Sequence, residues 1–279
     1  MREISAASRD RVTALAPRMR CCAVLAVAAA GLCAAMALAE PSAITVHAAS
    51  SHPMRYHLAL PAGWSAEREW PVLIVIPDAK REFDANLRTF ATARGRRPYI
   101  LVAPEVLTCG GAGTRTLDHY SYPPAVWDSL RGVDEFAFDD AGIAAVLGDV
   151  HRQWHGESTA FLTGWEAGGH TVWAVTFRHP ERWRGVAPVS TNYQRRGLDP
   201  ASFSSAPERS HLPLQVFREG TSSGKSADAM KFLVQQTANA LADARTHGFS
   251  PAPVRVVRGA DHGPLAPSVL AWCDSLRHR

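Results

Sequence analysis

Residues 71–77 read PVLIVIP, an unbroken apolar run rich in β-branched side chains and closed by proline at both ends. A strand with one face in water alternates apolar and polar residues; a run like this one suits a strand covered on both faces, as in a parallel sheet flanked by helices. Shorter runs of the same kind recur at residues 99–103, 160–163, 186–189, 214–217 and 254–257, and two further strand candidates open the mature chain at 44–48 and 55–60. Segments with helical periodicity lie between them. Asp139 and Asp140 open one whose apolar face is Ile143, Val146, Leu147, Val150 and Trp154, the acids complementing the helix dipole. Residues 226–247 form another, with Met230, Leu233 and Leu241 facing the core and Gly248 as the stop, and residues 267–277 a last one with Pro267 in its first turn. Alternating strands and helices predict a mostly parallel sheet with helices on both faces, whose ligands bind beyond the carboxyl ends of the strands.

The amino-terminal end is of another kind. Residues 21–39 are apolar and uncharged, Arg18 and Arg20 precede them, and Ala37-Leu38-Ala39 stands before Glu40. This pattern predicts a secretory signal peptide over residues 1–39, with Met19 a candidate for the true start, and a secreted or periplasmic protein with no membrane attachment after cleavage. A membrane anchor is the competing reading, since about 19 apolar residues just span a bilayer. The chain carries 30 basic and 26 acidic side chains, and five of the former and two of the latter fall in residues 1–39. The body is therefore near neutral, which gives no case for nucleic-acid binding. Cys109 and Cys273 remain after cleavage, as one disulfide or as two buried thiols. No linker divides residues 40–279, so they are expected to form a single domain with an irregular loop insertion at about 107–137. That loop contains His119, Tyr120, Tyr122 and Trp127; its aromatics either line a substrate cleft or pin the loop to the body.

The most telling segment is residues 161–170, FLTGWEAGGH. An apolar strand runs into Gly164-x-x-x-Gly168 and then directly into a helix predicted over 171–179. The glycines permit a sharp strand-to-helix turn that lifts the middle residue into a strained, exposed position, above a helix N-terminus that favours negative charge. On these residues, together with residues 177–183 (FRHPERW) and 187–190 (APVS), the chain resembles the α/β-hydrolase superfamily, and within it secreted esterases of the feruloyl esterase and polyhydroxybutyrate depolymerase type. The resemblance spans residue 71 to the C-terminus and implies an α/β-hydrolase fold with an eight-stranded, mostly parallel sheet. The departure is at the nucleophile: the elbow carries Glu166 where those esterases carry serine.

The resemblance places the catalytic histidine at His262, in residues 259–263 (GADHG), and looks for its acid after the 214–217 strand. Glu219 is the nearest carboxylate there, although it stands early for the role; Asp228 belongs to the next helix and Asp261 adjoins His262. The oxyanion hole would use the backbone N–H groups of Ala167 and Ala79. Trp165, Tyr120 and Trp127 are the candidate substrate-binding residues, and Lys80 is a surface lysine or a charge partner for Glu166. His170 reads as structural. His151 and His155 have helical i, i+4 spacing but no third ligand, so no metal and no cofactor are expected. Two readings remain. In the first, the protein has lost serine-esterase chemistry and binds a small-molecule or polymeric ester ligand as a binding or accessory protein. In the second, it hydrolyses carboxylic or related esters with Glu166 as nucleophile or general base alongside His262. A nucleophile from elsewhere, Ser190 or residues 221–223, is a third and weaker option.

Overall fold

The computed structural model describes residues 43–110, 115–194, 198–220 and 226–278, all within the unit that starts at Glu40. The leader and residues 221–223 lie outside the described residues. Eight strands form one sheet: β1 (Thr45–Ala48), β2 (Arg55–Ala59), β3 (Val72–Ile76), β4 (Ile100–Pro104), β5 (Ala160–Trp165), β6 (Trp183–Val189), β7 (Phe217–Glu219) and β8 (Arg255–Val257). Their order is β1-β2-β4-β3-β5-β6-β7-β8. β2 pairs antiparallel with both β1 and β4, and every pairing from β4 to β8 is parallel. The apolar run at 71–77 accordingly becomes the strand next to the centre: every residue of β3 is at most 1% exposed.

The helices are α1 (Phe83–Arg94), α2 (Pro124–Ser129), α3 (Glu135–Trp154), α4 (Gly169–Arg178), α5 (Ala227–Thr246) and α6 (Ala266–Arg277). α1 carries no strong sequence signal, because a polar face dominates it and Glu82 makes no side-chain cap. α3 starts four residues before Asp139. Its N-cap is Asp134, whose carboxylate accepts from the N–H groups of Phe136 and Ala137. Asp139 is therefore one turn inside the helix and fully buried, accepting from Leu107 N, Thr108 N and Thr108 Oγ1. α5 is capped by Ser226, which accepts from Ala229 N. His151 bonds the Gly156 carbonyl through Nδ1, and His155 closes α3 in a left-handed conformation.

Cys109 and Cys273 are separate free thiols, both buried, and burial pushes both thiols far up in pKa. The aromatic loop is pinned to the body. Tyr120 is 7% exposed, donates its hydroxyl to Val106 O and packs against Phe83, Tyr122 and Trp127. The expectation that Tyr120 lines a cleft is thus corrected: its ring is spent on core packing. Trp127, half-buried, lies tilted against Tyr120 and stacks on Tyr122, with the Arg115 guanidinium 5.6 Å from its ring centroid.

Candidate active site

β5 ends at Trp165, a 3₁₀ turn covers Glu166–Gly168, and α4 follows at once. Glu166 has φ 50°, in the left-handed region that costs a non-glycine residue of order 1–3 kcal/mol. The surrounding backbone enforces it. A β-carbon on Gly168 would lie 2.3 Å from Pro77 O, and one on Gly164 would lie 2.7 Å from Val172 Cγ2. Only glycine lets the turn approach β3 and α4 this closely. The Glu166 carbonyl is held by Asn192 N at 2.8 Å. The helix after the elbow starts two residues earlier than the sequence suggests, which puts Ala167 in the turn itself, 2% exposed.

Glu166, His262 and Glu219 come together at the carboxyl ends of β5, β7 and β8. Glu166 Oε2 lies 3.6 Å from His262 Nε2, and His262 Nδ1 lies 2.6 Å from Glu219 Oε1. The His262 side chain is 8% exposed, Glu219 is fully buried and Glu166 retains 21%. Glu219 is the last residue of β7. Its early position in sequence is resolved by the strand ending late: Leu214 makes only an isolated bridge to Val186, and the ladder to β8 runs over 217–219. Its second oxygen, Oε2, accepts the hydroxyl of Ser190. Ser190 is 1% exposed with φ 43°, and its N–H is bonded to Phe217 O at 3.0 Å. It is therefore a partner of the acid, a role the sequence did not signal, and the geometry gives it no access as a nucleophile.

The electrostatics follow from two carboxylates around one ring. Burial alone would lower the pKa of His262, but Glu166 and Glu219 outweigh it and raise it to about 9. Burial would raise Glu219, and the bonds from His262 and Ser190 hold it below its ordinary value. A third acid is close by. Asp78, 7% exposed where the turn after β3 begins, is pushed up by burial and by the charge of Glu166. Its Oδ1 accepts Lys80 N at 3.2 Å, while Ala79 and the Lys80 side chain are exposed. Trp165 forms a wall of the site, its ring centroid 5.2 Å from that of His262.

No protein-family model and no curated protein matches the sequence. Solved structures do match. Poly(aspartic acid) hydrolase-1 from Sphingomonas sp. KT-1 aligns with TM-score 0.55 at 14% identity, over 86% of this chain and 99% of that one. A siderophore hydrolase from Aspergillus nidulans aligns with TM-score 0.53 at 16% identity, over 85% and 93%. The chain has the α/β-hydrolase fold. Porphyromonas gingivalis dipeptidyl peptidase 4 shares it as well, with TM-score 0.52 at 12% identity, and there this chain spans only 35% of the larger protein. Glu166 follows β5, Glu219 ends β7 and His262 follows β8, the chain order elbow, carboxylate, histidine.

Proposed function

We propose that this is an esterase-like protein of the α/β-hydrolase fold that lacks serine-esterase activity and uses its elbow site to bind an ester-type ligand. The observation that carries the reading is the placement of His262 between Glu166 and Glu219. Serine hydrolysis needs a neutral imidazole to take the hydroxyl proton. Here there is no hydroxyl at position 166, and the ring keeps its proton up to about pH 9. Asp78 adds to this: a carboxylate beside the loop that carries Ala79 opposes the negative charge an oxyanion hole would have to stabilise. The resemblance to feruloyl esterases and polyhydroxybutyrate depolymerases suggests an ester of an aromatic acid, a polyester or an acylated sugar as ligand. Export through the 1–39 leader belongs to the same proposal.

A second reading is favoured by the intact order of the three groups. A Glu166 oxygen attacks the acyl carbon, the ester C–O bond breaks, and protonated His262 donates its Nε2 proton to the departing alkoxide. The resulting anhydride removes one anion from beside the ring. His262, now neutral and less basic, takes a proton from the water that cleaves the anhydride, and Glu166 returns as carboxylate.

One experiment separates the two. The wild type should not label with a serine-directed fluorophosphonate and should be silent on p-nitrophenyl acetate. Glu166→Ser keeps His262 and Glu219, removes an anion from the ring and supplies a hydroxyl. It should gain activity about 10²-fold above wild type, the lower end of what a positioned general base contributes. A wild type that hydrolyses esters and is silenced by Glu166→Gln would establish the second reading in place of the first.

A further inference from the structure

Ser190 follows β6 in a conformation that side chains avoid. Its φ is 43°, and it is 1% exposed. A non-glycine residue in the left-handed region is strained, and such strain persists only where the surroundings over-determine it. Glycine would relieve it; what serine adds is a hydroxyl. That hydroxyl donates to Glu219 Oε2. The Glu219 side chain is fully buried, and its other oxygen, Oε1, lies 2.6 Å from His262 Nδ1. The last torsion of a glutamate is soft, so a carboxylate bound through one oxygen can turn about it; bound through both, its plane is set.

The hydroxyl is itself held at a fixed point. The Ser190 N–H donates to Phe217 O at 3.0 Å, two residues before the acid. Thr191 Oγ1 accepts Trp173 Nε1 at 2.9 Å, and the Asn192 N–H donates to Glu166 O at 2.8 Å. A β-carbon on Gly169 would stand 2.3 Å from Thr191 Cβ, so the turn lies directly on the start of α4. Residues 190–192 thus join the strand that carries Glu219 to the elbow that carries Glu166.

We propose that Ser190 is a positioning residue: its hydroxyl sets the plane of the Glu219 carboxylate so that Oε1 meets His262 Nδ1, and the turn it opens keeps that alignment in register with the elbow. This deepens the reading of the site given above and rests on it only for Glu219 as the partner of His262, not for whether Glu166 reacts or which ligand binds. The carboxylates that act on the His262 ring are Glu166 and Glu219, and a change at Ser190 removes neither charge.

The test reads the His262 Nδ1 proton by NMR in the full chain at pH 6, together with the titration of the ring. Ser190→Ala and Ser190→Gly both remove the hydroxyl, and only the second also relieves the left-handed backbone. In both, the Nδ1 proton should exchange with water at least about tenfold faster than in the wild type, the scale of one lost hydrogen bond to a charged group, and the ring should titrate lower. Thr191→Val removes the bond from Trp173 and leaves Ser190 and Glu219 in place, so the proton and the titration should stay at wild-type values. If Ser190→Ala does not fold, Ser190→Gly, which suits the backbone best, carries the same readout. Wild-type exchange in the Ser190 variants would overturn the proposal, as would a ring that titrates there at or above the wild-type pH. An effect in Ser190→Ala that is absent from Ser190→Gly would trace it to the backbone and overturn it too. An equal effect in Thr191→Val would show general loosening of the turn and do the same.

Discussion

Replacing Glu166 with glutamine removes one of the two anions that hold the proton on His262, and the consequence is measurable in folding as well as in titration. In the folded protein the ring is raised from 6.5 to about 9. A group bound more tightly to its proton when folded stabilises the fold wherever the proton is on. For His262 that contribution is about 3 kcal/mol. It is complete below pH 6.5, declines as the pH rises between 6.5 and 9, and is gone above. The side chain is 8% exposed, so screening by solvent removes little of it. Glu166→Gln leaves Glu219 on Nδ1, so the ring should titrate lower than in wild type and the decline should shrink and end at lower pH. Urea midpoints at pH 6, 7.5, 9 and 10, read beside the imidazole resonances of His262, give both quantities. An imidazole that titrates at or below 6.5 in the wild type would refute the ion-pair argument. So would a Glu166→Gln variant whose ring titrates where the wild-type ring does.

Two further outcomes follow from the sequence and the turn. Gly168→Ala should destabilise the fold by about 1–3 kcal/mol in chemical denaturation, because the added carbon meets a backbone carbonyl that cannot swing aside; a neutral effect would mean the turn is looser than its 2.3 Å approach indicates. Edman sequencing of the protein recovered from the medium or periplasm should start near Glu40, and recovery of the intact leader would refute cleavage after Ala39.

The elements that carried their own signal were those whose surroundings resemble one another in every protein. β3 and β4 needed no context, since a strand buried on both faces is apolar throughout. The elbow was visible because its geometry demands Gly164 and Gly168 locally. α1 was not, because its buried set of Phe83, Asn86, Leu87, Phe90, Ala91 and Arg94 includes a polar amide and a charged residue that is buried by reaching the carbonyls of Ala59, Leu60 and Tyr99. The start of α3 was misplaced by a run of acids in which the true cap, Asp134, looks no different from Asp139. In the site, Glu219 and His262 could be nominated from chain order. The bond from Ser190 to Glu219 and the closeness of Asp78 to Glu166 could not, since they are made by tertiary approach between strands distant in sequence. The fate of Tyr120 was undecidable for the same reason: an aromatic residue in a loop says nothing of which way the loop folds.

The strain at residue 166 is sustained by its neighbours. Two glycines, the Asn192 N–H and the following helix fix the backbone at residue 166. Position 166 therefore behaves as a socket: whatever side chain occupies it is presented from the same point toward His262. A substitution there changes the group that faces His262 while the glycines and the helix that shape the turn stay as they are.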